Sequence, residues 1–534
     1  LFSVYAMTGT SRLEAVAEAM QRPDFYPHPV SELQRVDTLI SVVILTGVFA
    51  YKLKKPVDLG FLDFRDLDRR RFFCGQEVRL NQRLSHGIYH EVVAIHEAGE
   101  GGYSLEPVGP VVEYAVKMKQ LPPDQSLQGL LSQGLARARH LRSLGKTLAD
   151  FYRRSERGPA IDAFGRQEVM AANMEENFRQ LQPFVGRILD GERWDFIRQV
   201  SGTFLSSRAE VFAHRVEQGR IRDGHGDLRT DHVYFDPAVQ VIDCIEFNDR
   251  FRYGDPALDL AFLHMDLEHL GASRLSRVLL KEYAGRAQDP GVYALLDFYA
   301  AYRSVVRLKV ACLRSEKTTG AEREAELAEA RRFLDQAYCY ALQFSRPTLF
   351  LFGGLPASGK STHARLLAEA LWTRRVESDR VRKGPGAGPA VQPYGEGLYR
   401  PAMKRRVYAR LLAEALETLR QGRSVILDAT FSQRKWREEA RRLAADMDTN
   451  FVFVECVGRP EALRGRLARR ETSPGLSDAR PQHLDRMVRD FEPVTELPDL
   501  VHIKINTDWS RQRAFARVLD KTYAARCAQV RGLL

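Results

Sequence analysis

Gly354-Leu355-Pro356-Ala357-Ser358-Gly359-Lys360-Ser361 decides how the C-terminal third of this 534-residue chain folds. It follows an apolar run at 348–353 and opens a helical pattern at 360–371. A strand that ends in a glycine turn and leads into a helix points backbone N–H groups and the positive end of the helix dipole at a phosphate. A lysine and a hydroxyl residue at the end of the turn add a cation for the terminal phosphates and a magnesium ligand. Gly354, Leu355, Pro356, Ala357, Ser358, Gly359, Lys360, Ser361 and Thr362 are therefore the candidate ATP-binding residues, with Lys360 also a catalytic candidate and Ser361 a ligand for Mg2+.

Around that loop, apolar runs near 424–428, 451–457 and 501–505 alternate with helical stretches, the order of a parallel α/β sheet. Ser345-Arg346-Pro347 breaks the preceding helix and sets the expected domain boundary near 346. Asp428 ends the run Val425-Ile426-Leu427, where a carboxylate either holds the magnesium shell or caps a turn. Asp379, after Val376-Glu377-Ser378, stands near the expected end of the second strand, as a proton acceptor for a substrate hydroxyl or as a cap. Arg464, Arg466, Arg469 and Arg470 crowd one helical stretch. The three-residue spacing of Arg466 and Arg469 lets both lean on one face and screen a migrating phosphoryl group; the competing reading is a solvated face. Gly384 to Tyr394, rich in glycine and proline, reads as a mobile loop.

The glycine loop, Glu377-Ser378-Asp379-Arg380-Val381-Arg382, Ile426-Leu427-Asp428-Ala429-Thr430 and the arginine stretch together resemble the P-loop kinases related to polynucleotide kinase and zeta toxins, an AAA-family ATP-binding domain. The resemblance implies that Asp379 meets a substrate hydroxyl, that Arg382 binds substrate and that Arg466 or Arg469 belongs to a lid.

Upstream, His225-Gly226-Asp227-Leu228 precedes the runs 233–235 and 239–245, with Asp236-Pro237 as the turn between them and Asp243 in the second. A hairpin would bring Asp227 and Asp243 together, one to orient a hydroxyl and one to hold magnesium. Gly254-Asp255-Pro256 reads as a cap and first helical residue. In Val48 to Lys54, period-two geometry puts Ala50, Lys52 and Lys54 on one face, and Ala-x-Lys is the arrangement in which a kinase lysine meets nucleotide phosphates. Lys52 is the candidate, Lys54 the alternative. Phe73, Glu77, Leu80 and Leu84 follow helical spacing, so Glu77 interrupts an apolar stripe and needs a cationic partner.

These runs, with Val112-Glu113-Tyr114 as a hinge strand, resemble the aminoglycoside phosphotransferase-like kinases. Tyr51-Lys52-Leu53-Lys54-Lys55-Pro56-Val57 and Ile242-Asp243-Cys244-Ile245-Glu246-Phe247 look like bacterial proteins that join such a domain to a P-loop domain. That resemblance implies Asp227 as catalytic base and Asp243 as metal ligand. It also exposes a departure: His232 stands where the pattern has a metal-ligating asparagine, with Asp231 and Glu246 as substitutes. A neutral imidazole is a poor magnesium ligand. His225 reads as a structural residue of the loop.

The rest of the chain sets limits. Lys and Arg number 80 against 69 Asp and Glu, and the formal charge of +11 favours acidic partners such as nucleotides or nucleic acid without choosing among them. Six cysteines without a C-x-x-C pair argue against a zinc module and suit a reducing cytoplasm. The apolar run Leu39 to Tyr51 is shorter than the roughly 20 residues of a spanning helix, and Thr46-Gly47 divides it into two strands. Neither a membrane anchor nor a secretory signal is expected, and the start of the chain at Leu1 is left open. The expectation is thus a cytoplasmic protein of mixed α/β and α+β class: a protein-kinase-like phosphotransferase domain at 1–345 and a P-loop parallel α/β domain at 346–534. Both use MgATP toward an unidentified hydroxyl acceptor. A regulatory ATP-binding protein is the rival.

Overall fold

The computed structural model describes residues 7–235, 237–383, 400–471 and 480–533. Asp236 and the loop expected at Gly384 to Tyr394 lie outside them, as does the side chain of Arg470. The chain divides into two compact units: Leu1–Met170 with Phe212–Leu280, and Ala171–Val211 with Lys281–Leu534.

In the first unit, helix α1 (Met7–Ala19) precedes strands β1 (Gln34–Asp37), β2 (Ser41–Leu45) and β3 (Phe49–Lys54). Helix α2 (Leu67–Asn81) then leads to β4 (Tyr89–Ala98), β5 (Gly102–Ser104) and β6 (Val111–Lys119). The six strands form one antiparallel sheet in the order β1-β2-β3-β6-β4-β5. Thr46 and Gly47 make the turn between β2 and β3, with the Thr46 hydroxyl donating to the Phe49 carbonyl at 2.7 Å. Val112-Glu113-Tyr114 lies in the interior strand β6, paired on both sides. Buried Glu113 there receives the Arg70 guanidinium of α2 at 2.9 Å, which ties helix to sheet.

Downstream, short ladders replace the longer strands expected. β7 (Arg222–Asp223) pairs with β10 (Tyr253–Gly254), and β8 (Val233–Tyr234) with β9 (Gln240–Val241). The run expected at 239–245 stops at Val241 because Asp243 has φ 63°, a left-handed conformation incompatible with a ladder. The hairpin still turns Asp243 back toward Asp227.

The second unit contains a five-stranded parallel sheet in the order β12-β13-β11-β14-β15. Its strands are β11 (Thr348–Gly353), β12 (Arg374–Glu377), β13 (Val425–Asp428), β14 (Asn450–Val457) and β15 (His502–Asn506). Every residue of β11 and β13 is buried, as expected of central strands covered on both faces. Helices Gly191–Ser207, Leu296–Ser315 and Gly320–Ser345 belong to the same unit. Within it, buried Asp297 accepts the Tyr523 hydroxyl at 2.8 Å.

Candidate functional sites

In the second unit, the loop after β11 is held open by two glycines. Gly354 has φ 129°, and a Cβ there would meet the Cys456 carbonyl oxygen at 2.3 Å, so only glycine fits. Gly359, at φ 82°, directly precedes helix Lys360–Leu371. Asp428, at the end of β13, is 3% exposed and accepts the Ser361 hydroxyl at 3.1 Å through Oδ1. Its Oδ2 accepts from Arg375 at 3.2 Å. Burial raises the Asp428 pKa, against the pull of Lys360 and the Ser361 hydrogen bond. Arg375, unremarked in the sequence, also donates to the Ser361 carbonyl and to Glu377, and so ties the Ser361 end of the loop to β12. A hydroxyl and a carboxylate side by side form an all-oxygen donor set that suits Mg2+.

Asp379 lies in the short helix Ser378–Lys383 just past β12 and pairs with Arg382. The two arginines expected to share one face as a lid have different partners. Arg466 donates to the Ala357 carbonyl at 3.3 Å and to the Thr507 carbonyl at 2.7 Å, so it braces the phosphate loop from outside. Arg469 is exposed and donates from Nε to the Gly465 carbonyl of its own helix. Arg464 pairs with Asp485.

In the first unit, strand β3 and helix α2 bring two lysines to one carboxylate. Lys52 Nζ lies 2.8 Å from Glu77 Oε1 and 2.6 Å from Asp243 Oδ1. Lys54 Nζ lies 2.6 Å from Glu77 Oε2 and also pairs with Glu246. Lys54 is 1% exposed and Lys52 15%, so Lys52 is the member that meets the open side of the site. Burial opposes every charge here. For Asp243 that burial is outweighed, chiefly by Lys52, which holds its carboxyl well below the usual range. For Glu77 burial is likewise outweighed, by Lys52 and Lys54. Glu246 shares Lys54 with Glu77, and its burial raises it. Glu246 is thus occupied by Lys54.

Asp227 sits on the loop that follows β7. The loop is fixed by Asp259, in the first turn of helix Pro256–His269, whose oxygens accept the backbone N–H groups of His225 at 2.8 Å and Gly226 at 2.9 Å. Tyr152 donates its hydroxyl to Asp259 at 2.9 Å. Asp255 caps the helix by accepting from Ala257, as its sequence position suggests. The His225 ring faces the Ile242 carbonyl at 3.0 Å, and full burial lowers its pKa to about 4. It is a neutral brace between the two halves of the site.

His232 lies between the two carboxylates, its Nδ1 3.6 Å from Asp227 Oδ2 and its Nε2 3.6 Å from Asp243 Oδ2. Arg229 enters the same space, 3.3 Å from Asp227 and 3.0 Å from Asp231. Asp227, His232 and Asp243 form a group whose ligand atoms lie within 4.8 Å of one another. With an imidazole in the set, this donor group does not match the all-oxygen shell of Mg2+. In this unit Asp259 and Arg229 are the residues missed by sequence reasoning, as Arg375 is in the other. An acid in the first turn of a helix reads as a dipole partner, and Arg229 as one more surface charge.

Two family models match the chain: a phosphotransferase enzyme family over residues 76–296 and an AAA domain over residues 349–494. Fold and sites thus define a kinase-like phosphotransferase domain joined to a P-loop kinase-like domain. The Mycobacterium tuberculosis protein named Uncharacterized protein Rv2004c and the Mycobacterium bovis protein named Uncharacterized protein Mb2027c are each 36% identical over 462 residues, 85% of this chain and 89% of theirs. The chain belongs to the family of these proteins. Similar solved structures include a choline/ethanolamine kinase family protein from Mesorhizobium loti, 13% identical, covering 61% of this chain and 99% of its own, with a TM-score of 0.37. The GDP complex of aminoglycoside 2'-phosphotransferase-IIIa is 14% identical, covering 62% and 99%, with a TM-score of 0.37. A gluconokinase from Sinorhizobium meliloti 1021 is 15% identical, covering 35% and 96%, with a TM-score of 0.26. Among the described residues, no helix is long and apolar enough to cross a membrane.

Proposed function

We propose that this protein is an ATP-dependent phosphotransferase with two nucleotide sites, transferring the γ-phosphate to a hydroxyl of a small molecule or a nucleic-acid end. Residues 1–345 form the phosphotransferase domain and 346–534 the P-loop domain. The observation that carries the reading is the pairing of Ser361 with buried Asp428 beneath a complete phosphate loop. It is supported by the Lys52 bridge from Glu77 to Asp243 in the other unit.

In the P-loop site the loop amides and Lys360 hold the terminal phosphates, Asp379 orients the acceptor hydroxyl, and Arg466 keeps the loop in its binding shape. Ser361 and Asp428 would hold Mg2+, which neutralises phosphate charge when bound. In the phosphotransferase site, Lys52 positions the α and β phosphates and Asp227 accepts the hydroxyl proton, with Asp243 the metal-side carboxylate. A cytoplasmic location is part of the same reading, supported by cysteines that stay free among the described residues.

A second reading is favoured by the Arg229 and His232 pair lodged among the carboxylates. In it the first site binds ATP as a regulatory sensor without efficient transfer. Incubation of γ-labelled ATP with the small-molecule fraction of a cell extract, and with RNA ends, distinguishes the two. Labelled acceptor lost in Lys360→Ala or in Asp227→Ala assigns transfer to that site. ATP turnover that no acceptor stimulates sinks the transferase reading and leaves the regulatory one.

A further inference from the structure

The two ring nitrogens of His232 have opposite neighbours. Nδ1 lies 2.9 Å from the Asp227 backbone carbonyl, an acceptor, so it carries the proton. Nε2 lies 2.8 Å from Arg229 NH2, a donor, so it carries the lone pair. Both contacts select the same tautomer. An imidazole whose Nδ1–H is pinned to a backbone carbonyl, leaving Nε2 free to donate electrons, is the arrangement found around metal-ligating histidines.

The Nε2 lone pair points into a ring of carboxylates. Asp243 Oδ2 lies 3.6 Å away and Asp231 Oδ2 3.8 Å away. Two donors that share a metal at about 2.1 Å stand about 3.4 Å apart in a tetrahedral shell, so this spacing already approaches that of common ligands. Asp243 divides its oxygens: Oδ1 meets Lys52 at 2.6 Å while Oδ2 faces His232. The position between Nε2, Asp231 and the Asp227 side is filled by a cation, the Arg229 guanidinium. His232 is 6% exposed, so its orientation is set by the fold and not by solvent.

We propose that this site binds a first-row transition-metal dication in preference to Mg2+. His232 Nε2 and Asp243 Oδ2 are its ligands, and Arg229 is the resident cation that it displaces. The inference rests on reading the first unit as a nucleotide site with Asp243 on its metal side. Imidazole nitrogen suits such ions, whereas Mg2+ demands oxygen and gives up water reluctantly. The arrangement also accounts for the histidine at the asparagine position as a change of metal and not a loss of site.

The test uses the full chain and Mn2+ alone, without nucleotide, so that the phosphate loop of the other unit has nothing to bridge. Free Mn2+ is titrated by electron paramagnetic resonance with Mg2+ as competitor, and pulsed spectra report nitrogen coupling to the bound ion. Mn2+ is the least imidazole-seeking ion of the row and sets a lower bound: the expected result is a preference over Mg2+ of about tenfold with imidazole nitrogen coupling. In His232→Asn the coupling disappears and the preference narrows, with the circular-dichroism melt retained. Arg229→Ala tightens Mn2+ binding. Binding lost in Asp243→Asn but showing no nitrogen coupling in the wild type overturns the inference and leaves the nucleotide site standing. Binding untouched by Asp243→Asn overturns both. A preference unchanged in His232→Asn, or no tightening in Arg229→Ala, also overturns the inference.

Discussion

Asp259 accepts the backbone N–H of Gly226 at 2.9 Å, across 33 positions of sequence, while its other oxygen takes the N–H of His225. One carboxylate therefore holds two consecutive amides of the loop that presents Asp227. Asp259→Asn removes one acceptor and turns an amide donor toward donors already present. We expect a loss of about 1–3 kcal/mol in stability, the cost of buried unsatisfied donors, and faster hydrogen exchange at residues 225 and 226. Unchanged exchange there would refute the role.

The two lysines of β3 predict different failures. Lys54→Ala leaves Glu77 and Glu246 buried without their shared cation, a loss of about 3–5 kcal/mol that a denaturant titration reads directly. Lys52→Ala leaves Glu77 with Lys54, so the fold survives and nucleotide affinity at the first site falls. Equal destabilisation by both would contradict the division.

Arg466→Ala releases the Ala357 and Thr507 carbonyls that brace the phosphate loop. ATP affinity at that site is expected to weaken by about tenfold, equivalent to 1.4 kcal/mol, as measured by calorimetry in an Asp227→Ala background. Arg469→Ala, by contrast, leaves nucleotide affinity unchanged and lowers turnover with acceptor. The reverse pattern would remove both assignments.

Two buried histidines predict acid sensitivity. Burial lowers His225 to about 4, and burial with Arg466 and Arg511 nearby lowers His363 to about 4. Each is neutral in the fold and takes a proton more readily once unfolded. Their contribution is complete above the ordinary histidine value of 6.5 and is lost as pH falls from there toward about 4. The denaturant midpoint of each unit should drop across that window, and His363→Gln should flatten the slope for the second unit. A midpoint independent of pH there would show that neither ring is held neutral.

The parallel sheet was readable because its central strands are short, largely apolar runs bounded by turns, and the phosphate loop because its parts are consecutive. Asp428 was readable as the carboxylate ending such a run. Arg375 and Asp259 were not, since each acts through backbone groups far along the chain that leave no trace in local spacing. The strand expected through residue 245 failed for a similar reason. An apolar run cannot reveal that Asp243 adopts a left-handed backbone when the tertiary setting requires its carboxylate to turn inward.

The sequence alone determined the glycine loop from Gly354 to Ser361, because a strand, a glycine turn and a helix N-terminus make a phosphate-binding shape within one contiguous segment. It also determined that a kinase-like domain and a P-loop domain share the chain. Only the tertiary structure decided which lysine of β3 reaches the open side of the first site. It also decided that His232 presents Nε2 to Asp243, with the Arg229 guanidinium beside it. Lys52 and Asp243 lie 191 positions apart, and side chains so separated acquire a shared charge balance only when the fold brings them into contact.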